Sequence, residues 1–193
     1  DNNNNDTPNG TEEVVPGNNH KVLIAYFSEP LPDGVDASTS ASRLVINDNV
    51  VGSVEYLAQL IRQNTGGDMV RIQTATPYPG NFDDLADQAN QERQNNVHPA
   101  LSTNIEDFDN YDVVFVGYPI WWYQMPMAMY SFVDKYDFKG KTIIPFATSG
   151  SSAITGSAAA LKKSYPALNW KEGRLLNRAD EKSMRAWLEK LGY

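Results

Sequence analysis

Apolar and polar positions alternate in blocks along this chain. KVLIAYF, from Lys21, is an unbroken apolar run of the kind that forms a strand buried on both faces. Met69–Gln73, VVFVG at 113–117 and KTIIPFAT at 141–148 read as three more strands, and Arg174–Leu176 as a short fifth. Between them the period changes to that of helices. From Gly52, the residues Val54, Leu57, Ala58 and Ile61 fall at i, i+3, i+4 and i+7, and the run stops at the breaker Asn64-Thr65-Gly66-Gly67. Phe82, Leu85, Ala86 and Ala89 repeat the spacing. Pro126–Lys135, Ser157–Tyr165 and Ala179–Leu191 read as further helices, with Pro126 tolerated in a first turn. Strands alternating with amphipathic helices predict an α/β fold with helices on both faces of a parallel sheet. Five strands with right-handed crossovers fit a doubly wound sheet in the order 2-1-3-4-5.

Two stretches fall outside this rhythm. Residues 1–20 hold seven Asn, four acids and almost nothing apolar, so a flexible tail is expected there. Residues 29–51 read as a long polar connection inserted after the first strand. The 193 residues suit one domain, expected over 21–193. The chain starts without a methionine, and two origins fit. Either a signal segment was removed and the tail spaces a membrane-tethered or periplasmic domain from a membrane anchor, or the protein is cytoplasmic.

Composition narrows the chemistry. Sixteen Lys+Arg against 24 Asp+Glu give a net charge of −8, which argues against nucleic acid or an anionic membrane as the main partner. No apolar stretch approaches the ~20 residues of a transmembrane segment. Without cysteine there are no disulfides, thiol nucleophiles or Cys-based metal sites. Two histidines, His20 and His98, give little material for a metal centre or a His-based triad. Asp83, Asp84 and Asp87, and the loop cluster Glu106, Asp107 and Asp109, read as solvated acids rather than metal ligands.

In doubly wound folds the ligand lies outside the carboxyl ends of the strands, where strand order reverses. That rule selects three loops. The first joins Tyr26-Phe27-Ser28 to the helix start at Gly52-Ser53, where exposed N–H groups suit a phosphate. Ser53 equally suits a simple helix cap. No Lys or Arg stands at that helix start, and Arg43 in the insertion is the nearby cation. The second loop, GYPIWWYQM at 117–125, carries more large apolar groups than an ordinary connection needs. Its aromatics suit a stacking wall for a planar ring; the alternative is that one Trp packs into the core and the other covers a helix. The third loop, ATSGSSAITG at 147–156, has small residues that let a ligand approach the backbone, or that form a plain turn.

AYFS at 25–28, TPYP at 76–79, NYDVVFVGYPIWW at 110–122 and DFKGKTIIPFATSGSS at 137–152, in that order, resemble the flavodoxin-like flavoproteins. The likeness is to the bacterial branch whose central loop reads G-Y-P-x-W-W, and it covers most of residues 21–176. It implies an FMN-binding domain that transfers electrons. By position, Ser28, Gly52, Ser53 and Val54 would hold the phosphate. Pro119, Ile120, Trp121, Trp122 and Tyr123 would line one side of the isoalloxazine, and Thr148, Ser149, Gly150 and Ser151 the other. Two departures stand out. The family's compact phosphate loop is interrupted by the 23 residues 29–51, and its G-N-T position reads Gly52-Ser53-Val54. Val54 lacks the Thr hydroxyl, a donor worth ~1–3 kcal/mol; Arg43, Ser38, Thr39 and Ser40 could compensate by folding over the ligand. The second departure is Ala147, where many relatives place Cys.

The resemblance implies cofactor chemistry, with the protein binding, orienting and tuning the flavin. Three roles follow as expectations. The first is a one-electron carrier docking a redox partner protein. The second is an NAD(P)H-dependent reductase of a quinone-like acceptor. The third is a binding module that keeps the fold without flavin.

Overall fold

The computed structural model describes residues 14–29, 43–46, 49–122, 124–149, 153–176 and 181–193. Its central sheet starts with β1 (Asn19–Tyr26), β4 (Gly67–Arg71), β5 (Val113–Pro119) and β6 (Thr142–Thr148). The short β7 (Asn169–Trp170) and β8 (Arg174–Leu175) both pair with β6. The order is β4-β1-β5-β6-β7, with every neighbouring pair parallel. This is the doubly wound arrangement that the alternating pattern predicts. The fifth position differs in being two broken pieces, because Lys171–Gly173 interrupts the pairing.

The pleat of β1 sorts its side chains onto two cores. Leu23, Ala25 and Phe27 join a cluster with Leu85, the apolar side chains of α3 (Met127–Lys135) and Leu161. Leu85 lies in α2 (Phe82–Gln94) and Leu161 in α4 (Ile154–Ser164). Val22, Ile24 and Tyr26 pack on the other face, against α1 (Ser53–Thr65) and Met184, Trp187 and Leu188 of α5 (Glu181–Lys190). Both faces of the strand are therefore dry, which explains its unbroken apolar run.

Two stretches depart from the sequence expectation. The insertion is not merely a polar connection: β2 (Arg43–Ile46) and β3 (Asn49–Gly52) form an antiparallel hairpin whose last pair is Arg43 with Gly52. RLVI and NVVG, two short apolar runs separated by two polar residues, fit a tight hairpin. The surrounding Asp, Ser and Asn masked that signal. Ser38, Thr39 and Ser40 lie outside the described residues.

The expected tail is laid along the sheet from residue 14 onward. Val15 exchanges both backbone hydrogen bonds with Met69, at 2.8 and 2.9 Å, and so covers the outer edge of β4. Buried Asp68 fastens this segment by accepting from Gly17 N at 2.8 Å and from the Tyr111 hydroxyl at 2.7 Å. His20 Nδ1 lies 3.1 Å from the same carboxylate. Among the described residues, no helix is long and apolar enough to cross a membrane.

Candidate functional site

The three loops selected from the sequence meet at one edge of the sheet. Phe27 N donates to Gly117 O at 2.9 Å, tying the end of β1 to β5. Ile120 N donates to Thr148 O at 2.8 Å, carrying the β5–β6 pairing into the loops themselves. Ile72 N donates to Tyr26 O at 2.7 Å and brings the end of β4 alongside.

The first loop builds a small polar recess at the start of α1. Gly52 is the N-cap, with φ −60° and ψ 131°, and no side chain caps the helix. Ser53 is therefore the first helical residue rather than the cap. Ser28 is 2% exposed, and its Oγ has no hydrogen-bond partner. A Cβ on Gly52 would sit 2.1 Å from that oxygen, so only glycine leaves the recess open. Val54 buries its side chain in the core on the α1 face, which accounts for an apolar residue there. What it offers at the helix start is its backbone N–H.

The second loop separates the two tryptophans. Trp121 packs edge-on to Phe27 (centroids 5.2 Å, 82°) and to Tyr78 (5.6 Å, 81°), half-buried at the border of the core. Trp121 and Gln124 exchange backbone hydrogen bonds, both at 3.0 Å, leaving Trp122 at the tip. Trp122 has φ +49° and remains 42% exposed, while its indole N–H donates to Ala86 O of α2 at 3.0 Å. One tryptophan thus lines the core and the other lies over a helix. Tyr123 lies outside the described residues. Pro119 and Ile120 are buried at the end of β5.

The third loop begins with Thr148 and Ser149, both 2% exposed. Gly150 and Ser151 lie outside the described residues. Beneath this loop Ser157 Oγ lies 2.9 Å from Ile154 O and 3.0 Å from the Tyr118 hydroxyl, with which it shares a hydrogen bond. Burial pushes Tyr118 up to about 12 and keeps it neutral.

Arg71 and Glu92 escape sequence reading at this edge, while Phe27 and Tyr78, which lie within the AYFS and TPYP stretches, gain a specific role. Arg71 Nη2 donates to Ser28 O at 2.6 Å and lies 3.9 Å from Glu29 Oε2. Arg71 is thus a cation beside the first loop. Phe27 and Tyr78 support Trp121. Glu92 of α2 receives the Tyr78 hydroxyl at 2.6 and 3.2 Å. Burial raises both groups: Tyr78 stays protonated at any ordinary pH, and Glu92 sits above the usual carboxylate range although Tyr78 and Gln88 pull it down. The one available signal was Arg71 itself, a charged residue inside the stretch Met69–Gln73 that reads as a strand. Among the described residues, no three acids or histidines group as a metal site.

Residues 42–191 match the family model described as Flavodoxin. The chain belongs to the flavodoxin family. Among solved structures, this flavodoxin-family chain is similar to a candidate flavoprotein from Bacteroides eggerthii (39% identity, TM-score 0.72), covering 91% of this chain and 99% of that one. A second candidate flavoprotein, from Bacteroides uniformis, is 33% identical at TM-score 0.72, covering 88% and 98%. A Lactobacillus acidophilus flavoprotein, solved in complex with FMN, shares the flavodoxin-type fold at 16% identity and TM-score 0.64, covering 88% and 99%. No curated protein matches the chain.

Proposed function

We propose that this protein binds FMN at the carboxyl edge of its sheet and transfers electrons through it. The observation that supports this most is the Ser28 hydroxyl, buried without a partner against Gly52 at an uncapped helix start. An unpaired buried hydroxyl costs roughly 1–3 kcal/mol, a cost removed when a ligand oxygen arrives. Helix-start amides beside it suit an anion. The residues present therefore fit a flavin phosphate.

Bound FMN supplies one- and two-electron chemistry at its ring. The chain's part is to hold and surround it. Ser28 and the amides of Ser53 and Val54 bind the phosphate. Trp122, an aromatic exposed at this edge, would cover one side of the ring, while Trp121 is packed on Phe27 and Tyr78. The backbone of Pro119 and Ile120 and the Thr148–Ser149 turn would border the ring. These groups displace water, and the chain's charge of −8 disfavours added negative charge on the ring. Both effects lower its reduction potential. The acidic surface suits docking of a redox partner protein, and the exposed Trp122 leaves access for a small quinone-like acceptor.

Titration of the apo-protein with FMN, followed by flavin fluorescence, tests this reading. Saturable quenching at micromolar or tighter affinity is expected. No quenching at high micromolar FMN would overturn it in favour of a flavin-free binding module. Reduced protein that passes electrons to quinone with NAD(P)H present would place it among reductases rather than carriers.

A further inference from the structure

We propose that the outer edge of β4 is a docking site for an extended peptide segment of the pattern apolar–apolar–Pro–Gly, which residues 14–17 of this chain occupy in cis. The proposal stands apart from the flavin reading, at a different edge of the sheet. Traced back from the start of β1 at Asn19, the chain crosses the Gly66–Gly67 start of β4 and comes to lie along that strand's far side.

Each of the four positions meets a different part of a built site. Val14 packs against the core cluster on the α2–α3 face. Val15 exchanges both backbone hydrogen bonds with Met69 in antiparallel register. Backbone groups of alternate residues in a strand point to opposite edges, so position 16 turns its own away from β4 and a proline there forfeits no ladder bond. The Pro16 carbonyl accepts instead from Arg62 Nη2 of α1 at 2.6 Å. Gly17 N donates to the buried Asp68 carboxylate at 2.8 Å. A Cβ on Gly17 would come 2.1 Å from Gly66 O and 2.4 Å from Gly67 O, so glycine alone passes there. Backbone pairing supplies the affinity and the flanking groups read the sequence, which is recognition by strand addition.

The segment is specifically read yet lightly held. Val15 is 43% exposed, and Pro16 and Asn18 are exposed as well. An open groove of about 560 Å³ separates Pro16–Asn18 from Gln59 and Gln63 of α1. Segments held by backbone bonds with little apolar burial open at low free-energy cost. The rest of the edge is closed by the body of the fold. Thr103 Oγ1 donates to Arg71 O at 3.0 Å and accepts from Gln73 N at 2.8 Å, and Leu101 bridges Thr74. Opening therefore bares only the start of β4 as far as Met69, room for one short extended segment. A partner protein presenting apolar–apolar–Pro–Gly in extended form meets the same Met69 backbone, Arg62 guanidinium and Asp68 carboxylate. The tethered segment competes at an effective concentration on the order of millimolar, so the partner enters when that segment is released.

The chain has no cysteine, so Met69→Cys places a single thiol at the site. Val15 and Met69 form a hydrogen-bonded antiparallel pair, whose Cα spacing of about 5.5 Å suits a disulfide. The probe is the peptide acetyl-Val-Cys-Pro-Gly-Asn-amide, incubated with the full chain in a thiol–disulfide buffer, with capture read by intact mass. In the double variant Gly17→Val with Met69→Cys the chain's own segment cannot dock. Capture there is expected at least tenfold above that of a scrambled peptide, or of the same peptide with valine in place of glycine. Met69→Cys alone, with its own segment in place, is expected to capture at least tenfold less. Adding Arg62→Gln to the opened chain should lower capture several-fold. Val15→Pro with Met69→Cys removes the Val15 N–H, opens the site by a second route and is expected to capture too, so a folding defect in one variant does not decide the result. Equal capture of the three peptides would mean a merely exposed thiol, and the proposal falls. Capture by neither opened chain overturns it, and so does capture by Met69→Cys alone that equals theirs.

Discussion

The indole N–H of Trp122 donates to the carbonyl oxygen of Ala86 at 3.0 Å, fastening the tip of the loop after β5 to α2. The same residue has φ +49°, a left-handed conformation that costs an aromatic residue about 1–2 kcal/mol. Strain retained at an exposed aromatic suggests a role beyond packing. In Trp122→Gly the relieved strain and the lost hydrogen bond nearly cancel, so the apo-protein's stability should move by no more than about 1 kcal/mol. FMN affinity should fall at least tenfold. Thermal melts without ligand and fluorescence titration check the two halves separately. Unchanged FMN binding would reduce Trp122 to a latch on α2.

Gly52 illustrates a glycine kept for room. Its φ of −60° is open to any residue, yet a Cβ would come within 2.1 Å of Ser28 Oγ. In Gly52→Ala that hydroxyl can rotate away, so the fold should lose less than about 1 kcal/mol. The methyl group then occupies the proposed phosphate position. We expect an FMN affinity lower by tenfold or more and a melting temperature within a few degrees of wild type. A collapse in stability with normal FMN affinity would contradict this assignment of the recess.

Gly117 serves packing instead. It pairs with Phe146 across β5 and β6, and an added Cβ would meet the Phe146 ring at 2.2, 2.5 and 2.8 Å. Phe146 is fully buried, so the ring has nowhere to move. Gly117→Ala should destabilise the protein by about 1–3 kcal/mol. Denaturant unfolding measures it; a loss below about 0.5 kcal/mol would mean that the ring relaxes freely.

These contrasts show which parts of the molecule were legible in the chain. The strands of the sheet centre could be read because both their faces are dry, so VLIAYF and VVFV leave no ambiguity of period. The edge could not. Val15 covers β4 through backbone bonds, which leave no mark on side-chain pattern, and the fifth strand is two fragments too short to show a period. At the site, the rule of carboxyl ends found the three loops but not what supports them. Arg71 and Glu92 belong to a strand end and a helix, and reach the loops only through long-range pairing. Phe27 and Tyr78 read as ordinary apolar positions until their rings are seen edge-on to Trp121.

Glu92 links that aromatic wall to pH. Burial is the larger cause of its raised pKa, and the Tyr78 and Gln88 hydrogen bonds offset it only in part. The folded state therefore binds the proton more tightly than the unfolded chain does. Its stabilising contribution is full below the ordinary glutamate pKa. It is lost as pH rises through the raised folded value, at about 1.4 kcal/mol per unit of displacement. Glu92→Gln keeps an acceptor for the Tyr78 hydroxyl and removes the ionisation. Unfolding free energy measured from pH 4 to pH 8 should fall more steeply in the wild type than in Glu92→Gln, with the two curves closest at the acidic end. Tyr78→Phe should add to the effect, because it removes a bond that favours the ionised carboxylate. Parallel curves for wild type and Glu92→Gln would show that the carboxyl titrates as it does in the unfolded chain, and that the Tyr78–Glu92 pair holds Trp121 in place without any dependence on pH.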